Sequence, residues 1–278
     1  MSENEFRARP KHLLPVVASL TITGALAFFM IASKVDVESI TVFPETSEGA
    51  TLNTLLFIAP IAGMATLMYL LIRYGRETVV KKLIKVTLVF AIFLLTSWYG
   101  DVILSAYNLR MGFYSGLVIV LAGVLTFVLS YAIYRSHGFT QLVAIIAIGS
   151  LTGTFLGSSI PTLTAIVLLV ALSTYDLIAV YKGPIGKIVE KADLESFVGA
   201  VCTYENLTVG MGDIVFYSML ASNAMINLGG LSFLAASTGL VVGAYAGFKM
   251  LETREIFPGL PFALLLGLGL SILVSYVR

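Results

Sequence analysis

A single cysteine, Cys202, leaves this chain unable to form an intrachain disulfide. It falls in a polar stretch with no histidine nearby, so it reads as an incidental thiol and not as a nucleophile. The only two histidines, His12 and His137, both sit at the edges of apolar runs and suggest no metal site. There is no Walker-type loop, no GxGxxG, no zinc-ligand spacing, no low-complexity tract and no clear internal repeat. No metal, cofactor or nucleic-acid partner is therefore expected. Charge is scarce, at 12% of residues, and the net charge of +1 says nothing about partners because charge is partitioned between loops.

What the chain has in excess is apolar surface. Hydrophobic residues make up 58% of its 278 positions, more than a soluble domain of this size needs. The expected fold class is an all-α polytopic membrane protein, in contact with lipid and resident in the cell membrane. Apolar runs of span length lie at about 13–33, 51–72, 83–104, 113–134, 140–157, 161–181, 207–228, 230–250 and 258–277, nine in all. The run at 140–157 is short and polar-rich. The first run lacks a small-residue cleavage site and reads as a transmembrane helix, not as a removed signal peptide.

Positive charge orients these spans. With the N-terminus cytoplasmic, only Lys34, Arg110 and Arg278 of the 17 Lys and Arg residues fall outside. That split favours a cytoplasmic N-terminus and, over nine spans, an external C-terminus. The predicted organisation is one membrane domain: an N-terminal half over 1–181, a cytoplasmic loop over 182–206, and a C-terminal half over 207–278. Residues 37–43 form the one plausible strand outside the membrane, and Trp98 and Tyr99 are expected in the interfacial aromatic belt.

Acids inside membrane spans are costly and are default functional candidates. Asp101 lies near the outer end of the third span and is expected to reach water. Asp176 stands six residues before Lys182, about 9 Å from the cytoplasmic edge at helical rise. Asp213 stands seven residues after Asn206, about 10 Å from the same edge. Two consecutive antiparallel spans thus carry carboxylates at one depth. Such a pair cannot easily hold two negative charges, so it shares a proton. One Asp then activates a water while the other donates to a carbonyl oxygen, which is aspartic-protease chemistry. Gly210 and Gly212, which frame Met211 and precede Asp213, either admit a close substrate backbone or serve helix packing alone. Tyr175 stands beside Asp176, placed to hydrogen-bond near the site or merely to fill the span.

These residues resemble the presenilin and signal peptide peptidase family of intramembrane aspartyl proteases. That family carries Tyr-Asp on its sixth span, Gly-x-Gly-Asp on its seventh and Pro-Ala-Leu at its ninth. Tyr175-Asp176 and Gly210-Met211-Gly212-Asp213 match in full, and Pro258-Gly259-Leu260-Pro261 departs by glycine for alanine. The segments "YDLIAVYKGP" and "GMGDIVFYS" look like the presenilin branch, as does the cytoplasmic N-terminus, since signal peptide peptidases are inverted. Similarity is clear over roughly 175–191 and 206–220 and at the ninth-span motif; the first five spans match in number and pattern.

The resemblance implies Asp176 and Asp213 as the catalytic pair, with Tyr175, Gly210, Met211 and Gly212 as support and Pro258 to Pro261 positioning substrate. It implies a transmembrane helix of another protein as substrate and leaves open a homo-oligomer or accessory subunits. The ninth-span start and the end of span six are expected to pair with an unwound substrate strand. The loop over 182–206 is shorter than the presenilin loop, which puts self-cleavage there in doubt and suggests a microbial, archaeal member. A proton-coupled transporter or a noncatalytic scaffold are the rival classes.

Overall fold

The computed structural model describes residues 7–35, 37–107, 109, 112–136, 138–181, 201–204, 207–253 and 258–277. His137, Arg110, Arg254, Arg278 and most of the predicted cytoplasmic loop lie outside the described residues.

Among the described residues, nine α-helices follow the nine apolar runs: α1 (Leu14–Ala32), α2 (Ser47–Arg73), α3 (Glu77–Ala106), α4 (Gly112–Tyr134), α5 (Phe139–Ser159), α6 (Thr162–Tyr181), α7 (Met211–Asn223), α8 (Gly230–Met250) and α9 (Leu260–Val277). Seven of them are long and apolar enough to cross a membrane by length and composition. The other two are α3, which opens on Glu77, Lys81, Lys82 and Lys85, and α7, with only 13 residues. A π-helical turn over Ala224–Leu228 extends α7, and Gly229, at φ 97°, turns the chain into α8. Only glycine adopts that φ at low cost.

The inner helices are joined by small residues. Gly149, Gly153 and Gly157 recur every fourth position along α5 and face α7. A Cβ on Gly157 would lie 3.0 Å from the Asn223 backbone nitrogen, so only glycine admits this approach. Gly239 and Gly243 of α8 meet Gly267 and Ala263 of α9 in the same way. Polar bonds then fix the depth of α7: the buried Asn223 donates to the carbonyls of Gly157 and Ile160, both at 2.9 Å. These are carbonyls that the end of α5 leaves without helical partners. Half of the most apolar stretch of α5 is buried, the largest share among the seven helices that are long and apolar enough to span, which explains why its sequence carries so many Gly, Ser and Thr. By contrast α4 turns Phe113, Ile119, Val120 and Phe127 outward, a face suited to lipid.

Three features differ from the sequence-based expectation. The predicted strand at 37–43 is irregular among the described residues. Its backbone is held by other bonds instead: Asn53 Oδ1 accepts from Val42 and Phe43, its Nδ2 donates to the Phe43 carbonyl, and the Ile40 N–H donates to the Ser159 carbonyl. Trp98 and Tyr99, expected in an aromatic belt, make contacts inside the protein that the sequence did not suggest. Tyr99 donates to the Leu151 carbonyl at 2.8 Å and Trp98 stacks edge-on against Phe155, so both bind α3 to α5.

The third difference is the start of the seventh helix. Residues 207–210 are not helical but form strand β2 (Leu207–Gly210), antiparallel to β1 (Val201–Tyr204) with Val201 opposite Gly210. Cys202, expected in a loop, lies in β1. The cause is local. Val201, Thr203, Tyr204, Thr208 and Val209 are β-branched or aromatic, and only Glu205 and Asn206 separate the two runs, which is a hairpin pattern.

Candidate active site

Gly210 is both the last residue of β2 and the N-cap of α7, with φ −73° and ψ 136°. The chain therefore passes from strand to helix with no intervening loop. Asp213 falls in the first turn of α7, not two turns into a helix as counting from Asn206 implied. Its level is set by where the hairpin ends. The neighbouring Met211 packs into a cluster with Val209, Ile145, Ile148 and Ile214, which anchors this junction on α5.

Asp176 stands five residues before Tyr181, the last residue of α6. It is half-buried, as are Tyr175 and Asp213. Asp176 lies within electrostatic reach of Asp213. The two carboxylates, 37 positions apart in sequence, are thus neighbours at one end of the bundle. Asp101 is exposed on α3 and lines a separate cavity with Lys34, Glu38 and Trp98.

The ninth-helix segment meets the same place. Pro258, Leu260 and Pro261 are buried and Gly259 is half-buried. The backbone N–H of Leu260 donates to the Asp176 carboxylate. A Cβ on Gly259 would sit 3.9 Å from Asp213 Oδ2, so this backbone runs alongside the second carboxylate. Pro261 occupies the first turn of α9, where its missing N–H costs nothing.

The glycines before Asp213 pack against no other helix among the described residues. A Cβ on Gly210 would approach only the Asp213 carboxylate, at 3.8 Å, and one on Gly212 only Phe216, at 4.0 Å. The close helix contacts belong to glycines of other helices, among them Gly153 and Gly157 of α5 and Gly239 and Gly243 of α8. Helix packing alone is therefore not what Gly210 and Gly212 do among these residues.

Sequence reasoning missed two partners of the carboxylates. One is the Leu260 amide, a backbone group that no side-chain motif reports. The other is Tyr217, buried one helical turn beyond Asp213 and within electrostatic reach of both aspartates. Its four-residue spacing from Asp213 was a legible signal.

Comparison with known proteins bears on the family and the fold. A family model described as Presenilin matches residues 14–196, more than half of the chain. The chain belongs to the presenilin family. The match covers the first six helices, including the five that resemble the family only in number and pattern when read residue by residue, and it ends before Asp213. No curated protein matches the chain. Two solved structures share the fold, each described as a presenilin family intramembrane aspartate protease. One, in space group C222, is 18% identical with a TM-score of 0.65, covering 95% of this chain and 97% of the other. The second, in P2, is 19% identical with a TM-score of 0.62 and covers 95% of both. With its long apolar helices, this presenilin-family member is a multi-pass integral membrane protein.

Proposed function

We propose that this presenilin-family protein is an intramembrane aspartyl protease that hydrolyses peptide bonds within transmembrane helices of other membrane proteins. The observation that carries the reading is the meeting of Asp176 and Asp213 at one end of the bundle, with the start of α9 bonded to the first and lying alongside the second. Asp176 and Asp213 are the catalytic pair. One is ionised and takes a proton from a water; the other is protonated and donates to the scissile carbonyl oxygen. The tetrahedral intermediate collapses with the C–N bond broken and the nitrogen protonated.

A substrate helix hides its carbonyls in its own hydrogen bonds and must unwind before attack. The hairpin beside the site supports a route. Among the described residues, β1 and β2 pair only with each other, which leaves each an outer edge. An unwound substrate segment adds there or at the start of α9 as an extended strand. Gly210 and Gly212 leave room for its backbone, Met211 and Tyr175 support the carboxylates, and Pro258 to Pro261 position it.

All nine helices cross the membrane in this reading, with the N-terminus and the aspartate end cytoplasmic and the C-terminus outside. The chain acts as one membrane domain whose 182–206 loop joins its two halves. Homo-oligomers and accessory subunits lie beyond what this reading requires.

The test is a cleavage assay with purified protein in lipid and single-span substrates in both orientations. Cuts are expected toward the cytoplasmic side, and an aspartic-protease transition-state analogue should stop them. Products cut only near the outer face, or indifference to the analogue, would defeat the proposal.

A further inference from the structure

The aspartates account for the proton transfers, but the site holds a third polar side chain. Tyr217 is 3% exposed, the most deeply buried of the described tyrosine side chains that lie near the pair. It belongs to the core cluster in which α6, α7 and α9 converge, with Leu168 and Leu172 of α6 and Leu260 and Leu264 of α9. Leu260 is the residue whose amide bonds Asp176, and Leu172 lies one turn before Asp176. Tyr217 therefore shares its core cluster with residues of both helices that flank the aspartate-bearing turn of α7.

Its direction follows from helix geometry. Side chains on an α-helix lean toward the N-terminus, so a long residue covers the turn before its own. Tyr217 stands four positions after Asp213, and its ring reaches back over the turn that carries that carboxylate. The phenol lies within electrostatic reach of Asp213 and of Asp176. A buried tyrosine hydroxyl requires a polar partner. The other elements around it offer little competition: α1, α5 and α9 carry no charged side chain, and the ionisable groups of α8 are Tyr245 and Lys249 near its C-terminal end.

We infer that Tyr217 is a positioning residue of this site, its hydroxyl donating toward the aspartate pair and fixing the carboxylate oxygens that hold the attacking water. The inference rests on the protease reading above. A packing role alone would need the ring but not the hydroxyl, and the two are separable by removing a single oxygen.

The experiment uses the full-length protein in lipid with Tyr217→Phe. That variant keeps the ring and should keep the melting temperature. Turnover of a transmembrane substrate should fall by about 10- to 100-fold with KM within about threefold, since orientation of the reacting groups is lost and not substrate binding. The variant should also bind a hydroxyl-bearing transition-state analogue more weakly, while a substrate-helix peptide lacking a cleavable bond binds as to wild type. Unchanged turnover and unchanged analogue binding would overturn the inference, as would a loss carried entirely by KM. A second variant, Tyr217→Leu, removes ring and hydroxyl; if its turnover equals that of Tyr217→Phe at the same folded fraction, the hydroxyl carries the effect. Equal turnover for Tyr217→Phe and wild type with a low value only for Tyr217→Leu assigns the residue to packing and sinks the proposal. Failure of the protease reading looks different: wild type itself cleaves nothing and ignores the analogue, which removes this role with it.

Discussion

The backbone N–H of Leu260, the first residue of α9, donates a hydrogen bond to the carboxylate of Asp176 on α6. That amide is one of the N–H groups a helix start leaves without an internal partner. An anion there also meets the positive end of the helix dipole. Asp176 therefore does structural work on α9 as well as facing Asp213, and the two roles can be pulled apart.

Asp176→Asn keeps an oxygen that can accept the Leu260 amide, whereas Asp176→Ala removes it. Both should lower cleavage by at least about 100-fold, the scale of a lost general acid or base. Only the alanine variant should also lose stability, by about 0.5–2 kcal/mol, as when a helix cap is removed. Thermal unfolding in detergent beside the cleavage assay reads both effects. Equal melting temperatures for the two variants would show that the capping bond contributes nothing.

Gly259 is where the chain departs from the Pro-Ala-Leu of its family. The space beside it is sufficient for a methyl group, since an added Cβ would lie 3.9 Å from Asp213 Oδ2 in ordinary contact. Gly259→Ala should leave cleavage within about threefold of wild type, under ~1 kcal/mol in barrier. Gly259→Leu pushes its branch into the same space and should lose most of the activity. A strong loss with alanine would mean that a glycine backbone is required there.

The glycines of α5 and α4 should respond in opposite directions. A Cβ on Gly157 would run into Ser222, Met219 and Asn223 of α7, so Gly157→Ala should destabilise by about 1–3 kcal/mol, the range of an overpacked core. Gly116 of α4 has nothing within 4 Å of its added Cβ. Gly116→Ala should be neutral or stabilise by up to ~1 kcal/mol through helix propensity. Unfolding midpoints of the two purified variants decide the matter, and equal shifts would contradict the assigned α5–α7 contact.

The hydrophobic patterning of this sequence was enough to locate the nine described helices, with edges that agree within about two residues except at the starts of the second, third and seventh, which are off by four to six. It worked because burying backbone polar groups in lipid leaves the chain few alternatives to helix, so composition and length suffice. Asp176 and Asp213 stood out for the same reason: a carboxylate in an apolar run is expensive enough to be conspicuous. The α5 run was the least legible because its polar residues answer to α7 and not to lipid. Ser222 and Asn223, which bond the carbonyls of Gly153, Gly157 and Ile160, lie more than 60 positions away.

By itself, then, the sequence determined the helical class, the helix positions and the pair of costly carboxylates, since each depends on the solvation of a residue in its own segment. Tertiary structure decided the rest. It set the level of Asp213 through a hairpin that ends at Gly210, because strand pairing between 201–204 and 207–210 outweighed the apolar run that suggested helix. It brought Leu260 and Gly259 to the carboxylates, because a backbone amide gains its partner only when α9 docks against α6. It buried Tyr217 in the core that α6, α7 and α9 share, because the face a helix buries depends on which neighbours close around it.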